Sequence, residues 1–92
     1  SPSREEIARF YSETLGPLVC YDREHDAQLV ETLEALFEAN ANASQAAARL
    51  SIHRNTLSYR LRRIAEITGL DLANPEIRLA LQVALAVHRI TH

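Results

Sequence analysis

The fold of this chain is decided by the stretch NASQAAARLSIHRNTLSYRLRRIAEI, residues 42–67. Its first part is rich in alanine and follows Asn42, a residue type that commonly caps the start of a helix. Residues 51–53 then interrupt the helical pattern. A longer pattern of helical spacing runs over residues 54–68, and Gly69 closes it. The stretch therefore predicts a short helix, a tight break and a second, longer helix.

The longer helix separates its side chains into an apolar and a polar face. At about 100° per residue, one face holds Leu57, Leu61 and Ile64. The opposite face, roughly 140–200° around the helix, holds Asn55, Tyr59 and Arg62. We therefore expect the first set to be buried against the body of the protein and the second set to point outward. A solvated face with no partner is the alternative interpretation of such a pattern.

The two helices are predicted to touch through small side chains. In this arrangement Ala46, Ala47 and Leu50 face Ile52, Leu57 and Leu61. Such a pair of helices is typical of the helix-turn-helix, which presents its second helix to the major groove of DNA. Ser51 stands in the turn where glycine is often found, and a left-handed non-glycine residue there costs about 1 kcal/mol.

The charges of the chain are distributed unevenly along its 92 residues. Residues 1–40 contain three arginines and nine acidic residues, a formal charge of −6, whereas residues 41–92 contain seven arginines and three acidic residues, a charge of +4. No acidic residue lies between Ser44 and Ala65. This asymmetry favours one anion-binding surface. The chain contains arginine but no lysine. Arginine suits contacts with phosphate or guanine, although a coding bias explains the absence of lysine equally well.

The rest of the chain predicts further helices. Ser3 and Glu6 form a potential capping box for a first helix, which Gly16 and Pro17 are expected to stop. A connector over residues 17–25 follows, and Asp22 or Asp26 caps a helix that ends near Ala39, where Asn40 takes a left-handed conformation. Asn74, Pro75 and Glu76 form a strong start for the last helix. We predict an all-α bundle of about five helices. It is one domain, 1–92, with an N-terminal helix and connector over 1–25 and a helix-turn-helix core over 26–92.

Several other classes of protein are disfavoured. The sequence contains no apolar run long enough for a membrane span and no secretory leader. The lone Cys20 suits a cytoplasmic protein and is expected to be a small buried side chain. His25 with its neighbouring aspartates, and the pair His88 and His92, are poor metal sites. Neither a catalytic set nor a glycine-rich phosphate loop is present, so we expect no enzyme, no metal and no cofactor.

The polar groups of residues 42–67 predict a contact with double-stranded DNA. Asparagine and arginine can bind base edges through two hydrogen bonds, so Asn55, Tyr59 and Arg62, with His53 and Arg54 at the helix start, are predicted to read bases. Helix starts bind phosphates through their free amides, so the predicted phosphate contacts are Asn42, Ser44, Gln45 and Arg63. A helical protein-interaction or dimerisation module, with the arginine face docked on an acidic partner, is the alternative hypothesis.

Three ordered segments resemble a known family. These segments are HRNTLSYRLRRI (53–64), TGLDL (68–72) and NPEIRLALQVAL (74–85). From about Leu29 to Ile90 the chain resembles the C-terminal helix-turn-helix domain of the PucR/CdaR family of bacterial transcriptional regulators, named for purine catabolism and sugar diacid regulation. A shorter pattern is similar to the DNA-binding end of Fis: Ala47, Leu50, Ile52, Arg54, Thr56, Leu57 and Leu61.

The PucR/CdaR resemblance implies a promoter-binding module, often an activator, in a cytoplasmic bacterial regulator. It implies a larger N-terminal sensory region, absent here, through which any small-molecule effector would act. Carried over residue by residue, it implies that the DNA-facing side chains are His53, Arg54, Asn55, Thr56, Ser58, Tyr59 and Arg62. Because such modules usually bind paired half-sites, we expect a homodimer. Its interface is expected on Ile7, Phe10, Tyr11 and the last helix.

Overall fold

The protein is an all-α bundle, as the sequence predicts. The computed structural model describes all residues, 1–92. The helices are α1 (Arg4–Thr14), α2 (Gly16–His25), α3 (Leu29–Glu38), α4 (Ala43–Leu50), α5 (Arg54–Thr68) and α6 (Pro75–Thr91). None of the six combines the length and the apolar character that a membrane span requires. The count of six instead of about five results from one segment that was predicted to be a connector.

The predicted connector is helix α2. Pro17 lies in the first turn of this helix, where its missing N–H is not needed, so it begins a helix here instead of only ending one. Gly16 is helical and has no left-handed conformation. The expectation that Cys20 is buried was also wrong. The helix places Cys20 on its exposed side, where the thiol donates a hydrogen bond to Glu24 over 3.3 Å, and this bond raises the pKa of the thiol.

The other helix ends follow the predicted signals. Ser3 and Glu6 form a complete capping box at the start of α1. Asn40 and Gly69 are left-handed at φ 53° and 70°. Asn74 caps α6, and its side chain accepts a hydrogen bond from the backbone N–H of Glu76 over 2.9 Å. These confirmed ends depend on contacts within a few residues, which is why the sequence alone could predict them.

Asp22 caps α3 from a distance. Its carboxylate accepts hydrogen bonds from the backbone N–H groups of Leu29 and Val30, over 2.8 and 2.9 Å. The residue that directly precedes the helix, Gln28, is left-handed and makes no side-chain cap. Asp26 ends α2 instead. The cap therefore ties the last turn of α2 to the start of α3.

Two apolar clusters meet along α3, which packs against α2, α4, α5 and α6. The larger cluster joins α2, α3, α5 and α6 and consists of Leu15, Leu18, Leu29, Val30, Leu33, Ile64, Leu81, Ala84 and Leu85. The smaller cluster lies beneath α4 and α5 and consists of Leu36, Ala39, Ala46, Ala47 and Leu57. Leu61 is half-buried and contacts both clusters. The pair α4–α5 is thereby held against α3.

Candidate nucleic-acid interface

The turn between α4 and α5 is built around Ser51. This residue is left-handed, with φ 55° and ψ 42°, and its N–H donates to the carbonyl groups of Ala47 and Ala48. The N–H of Ile52 also donates to the carbonyl of Ala47, over 3.0 Å. Ser51 therefore adopts the left-handed conformation that glycine often supplies in such a turn. Its conformational cost is offset because the turn satisfies the last carbonyls of α4 and directs Ile52 toward the smaller apolar cluster.

Small side chains allow α4 and α5 to approach closely. Ala46 and Leu57 are fully buried, and Ala47 is nearly so. All three belong to the cluster beneath the helix pair, where Leu50 and Ile52 also pack. The predicted contact between the two helices is confirmed, and it fixes the direction in which the outer face of α5 points.

The outer face of α5 has the predicted composition. Leu57 and Ile64 are fully buried, whereas Tyr59 retains 58% of its exposure. Among the other six side chains expected to face DNA, five are exposed and one is half-buried: His53, Arg54, Asn55, Thr56 and Arg62 are exposed, and Ser58 is half-buried. The side chains that can form hydrogen bonds with bases therefore lie together on one accessible helix face.

His53 occupies the cap position of α5. Its Nδ1 atom accepts a hydrogen bond from the backbone N–H of Asn55 over 2.9 Å. Because a backbone N–H can only donate, Nδ1 must be unprotonated and the imidazole proton must lie on Nε2. The exposed imidazole can therefore cap the helix and still donate a hydrogen bond outward.

The starts of α4 and α5 are joined by a side-chain hydrogen bond. The guanidinium of Arg54 donates to the hydroxyl of Ser44 over 2.8 Å. At the same helix start, Asn42 accepts a hydrogen bond from the N–H of Gln45 over 3.0 Å. The N–H of Asn42 donates to the carbonyl of Ala39, so the reciprocal half of a capping box with Gln45 is absent. The first amides of α4 remain free for an anion.

Arg63 lies against α2. Its Nε donates to the hydroxyl of Tyr21 over 3.3 Å, and its guanidinium lies 4.9 Å from the centre of the Tyr21 ring. The hydrogen bond with Tyr21 raises the pKa of Arg63. His25 stacks on the same ring at 4.1 Å between ring centres. Sequence reasoning missed the role of Tyr21 in positioning Arg63, because residues 17–25 were interpreted as a connector.

The remaining arginines of residues 42–67 differ in their partners. Arg49 pairs with Glu38 over 3.0 Å, and Arg60 donates to the hydroxyl of Thr32 over 3.2 Å. Arg62 makes neither a hydrogen bond nor an ion pair with the protein. Arg62 is thus the arginine of α5 whose guanidinium is entirely free to bind an external acceptor.

No group of three histidine, cysteine, aspartate or glutamate side chains is arranged to hold a metal ion. His88 and His92 stack on each other, with 4.5 Å between their ring centres. Tyr11 lies beside them, and its hydroxyl is 2.7 Å from Nδ1 of His88. These side chains link α1 to α6.

A short, closely packed first helix, a left-handed turn and a second helix with an exposed hydrogen-bonding face define a DNA-binding helix-turn-helix domain. Comparison with known proteins agrees with this class. The profile of the PucR C-terminal helix-turn-helix domain matches residues 29–87. The chain belongs to this family and is the DNA-binding helix-turn-helix domain of a PucR-type transcriptional regulator.

Curated relatives share the same region. The chain is 48% identical over 71 residues to the DNA-binding transcriptional activator AdeR of Bacillus subtilis, covering 77% of this chain and 17% of that protein. It is 37% identical over 86 residues to the purine catabolism regulatory protein of the same species, covering 94% and 16%. It is 50% identical over 62 residues to the carbohydrate diacid regulator of Escherichia coli, covering 67% and 16%. This chain therefore spans about one sixth of the length of these relatives. No solved structure matches it significantly.

Proposed function

We propose that α5 enters the major groove and reads a specific DNA sequence. The observation that best supports this is the unpartnered Arg62, which lies on an exposed face together with Asn55 and Tyr59. A free guanidinium can bind the O6 and N7 atoms of guanine at once, and an asparagine amide can bind adenine in the same way. His53 and Arg54 at the helix start, with Thr56 and Ser58 beside them, complete the proposed base-reading surface.

We propose that the start of α4 and one side of α5 hold the DNA backbone. The free amides of α4 and the positive end of its dipole attract a phosphate, with Asn42, Ser44 and Gln45 beside it. Arg63 contributes a fixed charge on the other side of α5, since Tyr21 holds its guanidinium. Contacts of this kind orient the domain and supply affinity that does not depend on base sequence.

The wider role of the protein is inferred from its longer relatives. We propose that the domain is the output part of a larger cytoplasmic regulator and that it binds DNA as a homodimer. An effector would act through a separate N-terminal region of that regulator. The domain works by binding and not by catalysis, without a metal or a cofactor. Relatives named as transcriptional activators support activation of transcription as the result of binding.

Selection of bound sequences from random DNA tests the proposal. One sequence family should be enriched, and Arg62→Ala should weaken binding to it by about 5- to 150-fold, which corresponds to the loss of one base contact. Arg9→Ala is a matched control, because Arg9 is exposed on α1 and away from the helix pair. The absence of any enriched sequence at moderate salt would refute sequence reading and favour the protein-interaction module.

A further inference from the structure

Helix α6 is apolar on two opposite sides. One side is buried in the larger cluster through Leu81, Ala84 and Leu85. The other side, which we call the second face of α6, consists of Leu79, Val83, Ala86 and Ile90. Of these, Leu79, Val83 and Ile90 remain 62%, 47% and 84% exposed. An ordinary surface helix has one apolar stripe, so the second face requires its own explanation.

A groove deepens this second face on the side of α1. Helix α1 packs alongside α6, and an apolar groove of about 680 Å³ lies between them. Its lining includes Ile7 and Phe10 from α1 with Leu79, Val83 and Val87 from α6. Glu6 and Glu76 also line the groove. The combined surface is continuous, apolar and larger than a single exposed side chain would account for.

The spacing of the second face is that of a helix pair. Its residues follow each other at intervals of four, three and four, so Val83 and Ile90 take a positions and Leu79 and Ala86 take d positions of a heptad. β-Branched residues at a with leucine at d favour pairing of two helices, and the small Ala86 permits close approach. A face with this pattern is complementary to itself. It therefore fits a second copy of the same chain in a two-fold arrangement.

The second face is also clear of the proposed DNA surface. Helix α4 packs on α3 and α5, whereas α1 packs on α2 and α6. The α1–α6 surface and the helix pair α4–α5 therefore contact the bundle from different sides. A partner on the α1–α6 surface leaves the outer face of α5 accessible. The longest dimension of the molecule is 41 Å, so two copies can reach half-sites about 34 Å apart, one turn of DNA.

We propose that the second face of α6, together with the adjoining groove along α1, is the surface through which two copies of this chain dimerise. This inference rests on the homodimer in the proposed function and identifies its interface. It assigns Ile7 and Phe10 to the interface with α6, whereas Tyr11 packs on His88 within one copy.

The size of the surface predicts a weak dimer. Helix α6 is about 25 Å long, and two adjacent helices present a strip roughly 20 Å wide. Allowing for the shorter α1, each copy contributes roughly 450 Å², or about 900 Å² for both, near the lower limit of specific interfaces. The free chain should therefore dimerise only at high concentration. DNA with two half-sites should strengthen the pairing, since it holds two copies side by side.

Sedimentation velocity over a wide concentration range tests this interface. The unmodified chain should show a monomer–dimer equilibrium. Val83→Glu should weaken dimerisation by about 100-fold, because each copy loses an apolar contact that contributes about tenfold. Gln82→Glu is the matched control: it introduces the same charge at the neighbouring exposed position, outside the second face, and should leave the equilibrium unchanged. Circular dichroism melting should show that both variants fold normally.

Two results would overturn the proposal. One is a chain that stays monomeric up to millimolar concentration, as expected if another segment or partner covers the groove. The other is a dimer that persists in both Val83→Glu and Leu79→Glu. Binding to a DNA fragment with a single half-site separates this inference from the proposed function. Val83→Glu should bind that fragment normally and lose only the cooperative binding to two half-sites.

Discussion

Helices α5 and α6 differ mainly on the sides that they turn away from the bundle. Inward, both have fully buried aliphatic side chains, such as Leu57 in α5 and Leu81 in α6. Outward, α5 presents hydrogen-bonding groups around Tyr59, whereas α6 presents an aliphatic row around Val83. The inward faces explain why both segments fold as helices. The outward faces indicate different partners: base edges and phosphates for α5, and apolar side chains for α6.

The largest expected effects are on stability, and they test whether the buried sides of α5 and α6 contribute equally to it. Leu57→Ala and Leu81→Ala should each lower the free energy of unfolding by about 2–5 kcal/mol, because each creates a cavity at a fully buried position. Urea denaturation measures the loss. The outward substitutions Tyr59→Ala and Val83→Ala are the controls and should change stability by less than about 0.5 kcal/mol. Equal losses of stability at the buried and the exposed positions would mean that the two sides of each helix do not differ in their contribution to folding.

The next effect concerns the close contact beneath the outer face of α5. Ala47→Leu should destabilise the protein by about 1–3 kcal/mol, since the cluster between α4 and α5 has no space for the added carbons. Ala48→Leu, at the exposed neighbouring position, should have little effect. Thermal melting and DNA binding measured together would show whether α5 is also displaced. Unchanged stability in Ala47→Leu would mean that the two helices are less tightly packed than Ala46, Ala47 and Leu57 indicate.

A smaller effect, on DNA affinity, distinguishes the proposed base-reading residues of α5 from its proposed phosphate-binding residue. Arg63→Ala should weaken binding to specific and random DNA equally. It should also reduce the slope of log affinity against log salt by about 0.9, the contribution of one phosphate. Tyr21→Phe keeps the ring beneath Arg63 but removes the hydroxyl, and should produce a weaker effect in the same direction. If Arg63→Ala impaired only the specific sequence, Arg63 would instead belong to the base-reading set.

The smallest effect is a pH dependence at the α1–α6 contact. Burial, and then the nearby His92, lower the pKa of His88 below its ordinary value of 6.5, while Glu34 opposes this shift. The unfolded chain therefore binds the proton more readily. The contribution of neutral His88 to stability is complete above pH 6.5 and is lost as the pH falls through that value toward the lower pKa of the folded protein.

Melting temperatures measured between neutral and mildly acidic pH test this dependence. The unmodified chain should lose stability on acidification, because protonation places a charge on a partly buried imidazole beside His92. His88→Gln should reduce the loss. If the melting temperature of His88→Gln fell by the same amount, other groups would be responsible for the pH dependence. The α1–α6 contact would then be insensitive to pH.

Much of the helical arrangement could be predicted because its signals are local. Asn42, Ser51 and Gly69 mark helix ends through hydrogen bonds or backbone conformations that involve only their near neighbours. The buried and exposed sides of α5 follow from its periodicity. Helix α2 was missed because the same signal, a glycine followed by a proline, can end one helix or start the next. Which of the two occurs depends on how the following residues pack.

The sequence by itself determined the all-α class, the helix-turn-helix, the outward set Asn55, Tyr59 and Arg62 and the family resemblance. These features depend on periodicity, capping and ordered motifs. Only the tertiary structure decided which arginines are free. Arg49, Arg60 and Arg63 bind Glu38, Thr32 and Tyr21, partners 11 to 42 residues away in the chain. No helical periodicity encodes such pairs, because they form only when packing brings separate helices together. The same packing left the second face of α6 uncovered.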